Sequence, residues 1–225
     1  MTRGRWFTNA SVVDALSTAR ALGRPLLIDL WSPTCKGCAK LAAVTYRDTG
    51  VQRLLDQSFV CIKYNTKEPN ESFKRLNGSF GHVWHPDLIV ATEHLHEVRR
   101  VIGYLPPSDF MAQLLVGLGL GHLHATRYVD ALATFDRVVD EHADAGAAPE
   151  AMYWSGVAAY RAGGGLDALT ARWRAIPDRY PTSEWVRRAD CLDVVIPDGG
   201  FTFDDAAAPE SEKVATPQLS AVSSG

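Results

Sequence analysis

The segment WSPTCKGCAKL, residues 31–41, carries two cysteines, Cys35 and Cys38, with two residues between them. Two thiols at this spacing can bind a metal ion, form a structural disulfide, or exchange electrons as a dithiol–disulfide couple. The spacing alone fits all three kinds of site, so the surrounding residues have to decide between them.

The residues after the first cysteine favour electron exchange. The sequence predicts a helix that begins at Cys35, which places that sulfur among unpaired backbone N–H groups at the positive end of the helix dipole. Both effects lower the pKa of the thiol, and the positive charge of Lys36 acts in the same direction. Cys38 follows one turn later on the same helix face and is expected to be more buried. From there it can attack a mixed disulfide formed at Cys35 and release the substrate.

The other cysteines and the histidines do not complete a zinc site. A structural zinc site needs four ligands, usually supplied as two pairs. The chain has no second CxxC, and its two closely spaced histidine pairs lack the expected ligand spacing. We expect Cys61, in a strand, and Cys191, in a late helix, to be small core residues. No metal or organic cofactor is predicted, and a zinc-binding domain is the third hypothesis for the function.

The hydrophobic pattern predicts strands that alternate with helices over the first half of the chain. The predicted strands are residues 25–31, 59–65, 87–92 and 96–104, and the helices begin near Val12, Cys35, Val51, Pro69 and Pro107. This alternation predicts a mainly parallel sheet, to which the final hairpin adds an antiparallel pair.

One acidic residue interrupts the first predicted strand, PLLIDLW: Asp29, six residues before Cys35. The apolar run around it is typical of a strand that is covered on both faces, where an unpaired carboxylate is costly to bury. Lys63, in the strand FVCIKYN, is the candidate partner. We therefore interpret Asp29 as a functional residue rather than as a charge at a strand end.

These features together resemble the thioredoxin superfamily, in which a buried strand ending in D-x-W precedes a CxxC at a helix start. The segments TYRDTGVQRLLDQSFVCIKYN and VRRVIGYLPPSDF further resemble the thioredoxin-like subgroup related to the C-terminal domain of bacterial disulfide-interchange reductases. The resemblance covers roughly residues 9–118. It implies the thioredoxin fold, an α/β fold in which helices flank a central mixed sheet.

The resemblance also implies roles for individual residues. Cys35 and Cys38 match the redox pair, Asp29 matches the aspartate that relays a proton to the second cysteine, and Lys63 matches the lysine that approaches this aspartate. These four residues are the predicted catalytic set.

Four further residues are predicted to shape the substrate groove: Trp31, Thr34, His85 and Pro86. Trp31 matches the indole packed beside the cysteines, and Pro86 matches a cis-proline that faces them. Thr34 replaces a second tryptophan of thioredoxin, and Lys36-Gly37 replaces Gly-Pro between the cysteines, so thioredoxin's redox potential is not inferred. His85 either faces Cys35 and acidifies it or is a loop histidine that faces solvent.

The second half of the chain is predicted to be helical. A-x3-F at Ala131 and Phe135, and a better-filled unit from about Glu150 to Pro181, resemble one or two degenerate tetratricopeptide repeats. Trp154 and Trp185 fall outside the repeat core and are the first candidates for exposed contact residues. The predicted organisation is a thioredoxin-like domain at 1–118, a helical region at 119–200 and a disordered tail at 201–225.

Length, net charge and hydrophobic pattern argue against several classes of function. The chain has 225 residues and a formal net charge of -3, which supplies no broad basic field for nucleic acid. No signal peptide or membrane span is recognisable, so a cytoplasmic location is predicted. We expect a thiol–disulfide oxidoreductase whose partners are protein disulfides and an electron donor. The alternative is a redox-inert or redox-sensing module that binds a protein partner through the helical region.

Overall fold

The computed structural model describes residues 6–71, 74, 78, 80–194 and 196. The chain divides into two units, Met1–Asp190 and Cys191–Gly225, and the first contains every helix and strand given below. The predicted tail at 201–225 and half of the helix predicted from Pro69 lie outside the described residues.

The strands form a four-stranded mixed sheet, as the resemblance implied. They are β1 (Leu26–Trp31), β2 (Val60–Asn65), β3 (Asp87–Ala91) and β4 (Glu97–Ile102), in the order β2-β1-β3-β4. Only the β1–β2 pair is parallel; β3 runs antiparallel to both β1 and β4.

The prediction of a mainly parallel sheet was therefore wrong. In the register, Leu30 near the end of β1 lies opposite Asp87, the first residue of β3. The chain thus re-enters the sheet at the same end at which β2 leaves it, so β3 runs antiparallel to β1. Alternating helices and strands predict which segments are strands, but not the end of the sheet at which each strand begins. This return places the segment before Asp87 at the carboxyl end of β1, beside the cysteines.

The helices of the described residues enclose the sheet and extend beyond it. Their bounds are α1 (Val12–Leu22), α2 (Lys36–Ala43), α3 (Thr49–Ser58), α4 (Pro107–His124), α5 (Tyr128–Glu141), α6 (Ala148–Ala159), α7 (Gly165–Arg174), α8 (Ile176–Arg179) and α9 (Glu184–Arg188). A short 3-10 turn, Thr45–Arg47, joins α2 to α3. Gly23 ends α1 in the left-handed conformation that glycine adopts without strain.

The two faces of β1 have different surroundings. Ile28 and Leu30 point to the α1 side, where they join Val12 and Leu16 in one apolar cluster. Each such fully buried side chain contributes about 1.5–3 kcal/mol relative to exposure. Because successive residues of a strand point to opposite faces, Asp29 points to the other side, toward the turn after α2.

Helix α4 packs against the sheet on one side and against the helical region on the other. A Cβ atom added at Gly117 would lie 3.1 Å from Val90 Cγ2 in the sheet, whereas one added at Gly119 would lie 2.5 Å from the ring of Phe135 in α5. Phe135 is fully buried. The predicted boundary after residue 118 thus falls inside a continuous helix.

A charged contact also joins the sheet to the helical region. Arg99 of β4 donates hydrogen bonds to both carboxylate oxygens of Glu150 in α6, at 2.5 and 2.7 Å. The Gln113 side chain of α4 accepts from the same guanidinium. Both charged side chains are largely buried, at 17% and 13% exposure, so this bidentate pair forms inside the protein rather than at its surface.

The aromatic residues of the helical region pack mainly on one another. Tyr153 stacks on Trp173 with ring centroids 4.4 Å apart and lies 5.0 Å from Trp185. Trp185 is only 9% exposed, so the prediction that it is an exposed contact residue was wrong; Trp154 is half-buried. The resemblance to tetratricopeptide repeats stays a prediction.

The predicted environment of Cys191 was also wrong. The sequence predicted that this cysteine is a core residue in a late helix, but α9 ends at Arg188 and Cys191 is exposed in a turn.

Candidate active site

Cys35 and Cys38 are joined in a disulfide at the start of α2, with their Cα atoms 5.2 Å apart. Cys35 is the N-cap residue, in extended conformation, and its Sγ accepts a hydrogen bond from the backbone N–H of Cys38 at 3.0 Å. A helix N-terminus offers unpaired N–H groups and a positive dipole end, both of which favour a thiolate on reduction. The helix thus begins where the sequence predicted, with Cys35 as its cap.

The two sulfurs differ in accessibility. Cys35 is half-buried, whereas Cys38 is only 4% exposed. Lys36, the residue between them on the exposed side, is open to solvent. This asymmetry is what a nucleophile and a resolving thiol require, because only the first has to meet a substrate.

Asp29 is fully buried, and its carboxylate is paired. Lys63 Nζ lies 3.5 Å from Asp29 Oδ2, and Tyr46 Oη donates a hydrogen bond to the same oxygen at 2.9 Å. Burial raises the pKa of Asp29 above its ordinary value, although Lys63 and Tyr46 act in the opposite direction. A carboxyl group with a raised pKa can take up and return a proton closer to neutral pH than an exposed aspartate can.

Lys63 lies among aromatic rings. Its Nζ is 4.8 Å from the ring centroid of Tyr46, 5.6 Å from that of Trp31 and 5.9 Å from that of Trp6. These faces favour a cation and help to hold the ammonium group beside Asp29.

The His85–Pro86 peptide bond is cis, and Pro86 is buried against the cysteine turn. A Cβ atom added at Gly37 would lie 2.9 Å from Pro86 Cδ and 3.8 Å from Tyr104 Cβ. A glycine between the cysteines therefore permits this close approach of the proline ring, which accounts for Gly37 in physical terms.

His85 is half-buried, and its hydrogen bond is with Thr66. Its Nε2 lies 2.7 Å from Thr66 Oγ1, and its ring centroid is 4.3 Å from that of His82. Desolvation lowers the pKa of His85, and the neighbouring His82 and Lys67 lower it further. The imidazole is thus held neutral to a lower pH, which weakens its ability to acidify Cys35 by charge.

Two predicted groove residues lie at the mouth of the site. Trp31 is half-buried, and its carbonyl accepts a hydrogen bond from the Thr66 N–H at 2.9 Å. Thr34 is exposed immediately before Cys35. The structure therefore brings the N-cap cysteine, the cis-proline and these two residues to one end of the sheet.

Sequence reasoning missed two residues near the site. Tyr46 was not recognised because the pattern gives no sign that a residue beyond the helix turns back to Asp29. Trp84 stands two residues before Pro86 and is 69% exposed. A tryptophan beside a predicted cis-proline was the available signal for it.

Cys61 has the core role that the sequence predicted. It is buried on the same face of β2 as Lys63, and burial raises the pKa of its thiol, which keeps it neutral. Together with Trp6 and Tyr46 it borders a cavity of about 810 Å³ that neither redox cysteine lines. Within the described part of the chain, no group of three or more metal-binding side chains converges.

A family model described as a thioredoxin-like domain matches residues 12–116. Residues 12–116 form a thioredoxin-like domain. The matched segment contains every residue predicted for the site, and its mixed sheet with flanking helices is the thioredoxin fold.

Other similarities each cover about half of the chain. A thiol:disulfide interchange protein DsbD from Citrobacter koseri is 29% identical over 112 residues, which are 48% of this chain and 20% of that protein. The chain thus spans a fifth of this curated relative. The thioredoxin from Thermus thermophilus is 24% identical over 55% of this chain and 94% of its own, with a TM-score of 0.46. The oxidised C-terminal domain of Neisseria meningitidis DsbD is 18% identical over 47% and 93%, with a TM-score of 0.41.

The thioredoxin-like domain therefore carries a disulfide-bonded CxxC pair at a helix N-terminus, beside a buried carboxylate and a cis-proline. This arrangement supports thiol–disulfide exchange as its general chemistry. No helix among the described residues has the length and apolar character needed to cross a lipid bilayer.

Proposed function

We propose that the protein is a thiol–disulfide oxidoreductase that acts on protein disulfides through Cys35 and Cys38. The single observation that carries the proposal is the position of Cys35: a half-buried N-cap sulfur that accepts the Cys38 N–H and is bonded to a buried partner cysteine. The name of the Citrobacter koseri relative, a thiol:disulfide interchange protein, supports the same activity.

The reaction transfers two electrons to the substrate disulfide. The Cys35 thiolate attacks one substrate sulfur, and the other leaves as a thiolate and is protonated. Cys38 then attacks Cys35, which breaks the mixed disulfide, releases the second substrate thiol and leaves the Cys35–Cys38 disulfide. An electron donor has to reduce this disulfide before the next turnover. No metal or organic cofactor enters these steps.

Asp29 and Lys63 handle the proton in this proposal. Cys38 is buried, so its thiol needs a nearby base before it can attack. Asp29 is that base, and the ammonium of Lys63 opposes the rise of the Asp29 pKa that burial causes.

The substrate groove consists of Trp31, Thr34, His85 and Pro86. Thr34 precedes Cys35 directly, and the ring of Pro86 lies against the glycine between the cysteines, which supports this assignment. The cytoplasmic location and a protein partner on the helical region stay predictions.

The first experiment is reduction of insulin disulfides with dithiothreitol as electron donor. We expect turnover by the wild type and background rates for Cys35→Ser. Cys191→Ser is the matched control, because it removes an exposed cysteine that is not part of the CxxC pair. Equal, background-level rates for the wild type and Cys35→Ser would contradict the enzyme function and favour the redox-inert binding module.

The second experiment identifies the substrates. Cys38→Ser cannot resolve a mixed disulfide, so it is expected to retain its substrates on Cys35 until they are released by reductant. The double variant with Cys35→Ser is the control, and proteins captured equally by both are not substrates of the pair.

A further inference from the structure

The two carboxylate oxygens of Asp29 have different surroundings. Oδ2 accepts the Tyr46 hydroxyl at 2.9 Å and lies 3.5 Å from Lys63 Nζ. Oδ1 is buried and has no hydrogen-bond partner among the described residues. Burying a carboxylate oxygen without a partner is costly, and protonation of that oxygen removes the cost.

Tyr46 is held firmly in the orientation that makes this contact. The hydroxyl of its neighbour Thr45 donates to the Leu105 carbonyl at 2.6 Å, and Gln52 Nε2 donates to the Tyr46 carbonyl at 2.9 Å. The ring lies 5.0 Å from that of Trp6 and edge-on to Phe110 at 5.6 Å. Backbone and ring are thus fixed from several sides, as an orienting side chain requires.

We propose that Tyr46 is a positioning residue of the thiol–disulfide reaction: its hydroxyl occupies Oδ2 of Asp29 and leaves Oδ1 as the atom that receives the Cys38 proton. This inference rests on the proposed function and adds a residue and an atom to it. Lys63 is on Oδ2 as well, so both fixed partners of the carboxylate are on the oxygen that stays unprotonated.

The step balances without another reactant. The S–H bond of Cys38 breaks, and its proton moves to Asp29 Oδ1. The Cys38 sulfur bonds to Cys35, and the bond between Cys35 and the substrate sulfur breaks. That electron pair leaves on the substrate thiolate, which takes up a proton.

Several neighbouring groups shift the pKa of Asp29. Among them the Tyr46 hydroxyl is neutral, so it can be removed without changing the net charge. Burial raises the pKa of Asp29 most; Lys63 and the Tyr46 hydroxyl lower it, and the buried Asp87 raises it. Cys61 lies on the same face, and its thiol stays neutral because it is buried. Loss of the Tyr46 hydroxyl therefore raises the Asp29 pKa while every formal charge remains.

The test uses Tyr46→Phe in the full chain, which keeps the ring and its packing. Every protein compared, the wild-type reference included, also carries Cys191→Ser, because the exposed Cys191 thiol would release the same coloured thiolate. Reduced protein is mixed with dithiobis(nitrobenzoate), and release of the coloured thiolate is followed at a series of pH values. Attack by Cys35 gives the first release and attack by Cys38 gives the second. We expect the acidic limb of the second phase to move up by about one pH unit, as the loss of a hydrogen bond to a charged group implies. The first phase should keep its profile.

Two further variants separate positioning from folding. Tyr64→Phe is the matched control, because Tyr64 donates a buried hydroxyl to Asn70 Oδ1 at 2.9 Å on the opposite face of β2. It should leave both phases unchanged. Asp29→Asn should remove the acidic limb, and adding Tyr46→Phe to it should have no further effect on the second phase.

The outcomes distinguish this inference from the function on which it rests. If the wild type gives no second release, the proposed function fails. If the wild type gives both releases but Tyr46→Phe has the same second-phase profile, the positioning role is overturned and the function stands. If Tyr46→Phe shifts the profiles of both phases, or if Tyr64→Phe shifts the second phase as far as Tyr46→Phe does, the hydroxyl is structural and the inference is likewise overturned.

Discussion

A substitution of Gly119 by alanine tests whether the helical region is seated on the thioredoxin-like domain as described. The new Cβ would lie 2.5, 2.7 and 2.9 Å from three carbons of the Phe135 ring. Phe135 is fully buried, so its ring has no open side into which it can move. Overpacking of this kind costs about 1–3 kcal/mol. Exchange of glycine for alanine inside a helix returns up to about 1 kcal/mol.

Gly121 provides the matched control in the same helix. A Cβ added there meets nothing within 4 Å, so Gly121→Ala receives the helix-propensity gain without a clash. We expect Gly119→Ala to lower the free energy of unfolding by about 1–2 kcal/mol and Gly121→Ala to raise it by up to about 1 kcal/mol.

Urea unfolding followed by circular dichroism measures both variants. In a unit of this size a difference of about 2 kcal/mol corresponds to roughly 4–8 °C in Tm. If Gly119→Ala is as stable as Gly121→Ala, then Phe135 does not pack against α4 at this point and the described joint between the two halves is refuted.

Three other changes have defined outcomes. Asp29→Asn should stabilise the protein, because burial raises the carboxyl pKa; the wild type loses stability as pH rises from about 4 through that raised value, so the gain in urea unfolding should be small below this window and full above it. Glu150→Ala should cost about 3–5 kcal/mol, because it leaves the Arg99 guanidinium without its carboxylate, whereas Arg99→Met with Glu150→Leu should be close to wild type in the same assay. Trp84→Ala should raise KM for insulin at least about fivefold with little change in kcat, whereas Val129→Ala, also at an exposed apolar residue, should leave KM unchanged; equal KM values would remove Trp84 from the groove.

The sequence was sufficient for the features that depend on local pattern. The four strands lie within one or two residues of their predicted bounds, and the predicted start of α2 at Cys35 follows from a turn before an amphipathic run. Lys63 could be paired with Asp29 because the penalty for a lone buried carboxylate demands a partner.

Features that depend on the path of the chain between elements could not be predicted in this way. The direction of β3 depends on where the preceding segment re-enters the sheet. The Tyr46 contact depends on a short turn that folds back beneath α2, and a residue beyond the end of a helix carries no periodic signal. Trp185 was predicted to be exposed because a repeat template omits it, but neighbouring aromatic rings cover it.

The double packing of α4 has a consequence for how such a protein can arise and change. Gly117 faces the sheet and Gly119 faces α5, so two residues of one helix are matched to different halves. A gene fragment that ended at this helix would encode an α4 whose surface at Gly119, which Phe135 covers in the full chain, is left uncovered. Recombination is therefore not free to exchange the helical region for an unrelated module, and the two halves are expected to be inherited together and to diverge as a single unit.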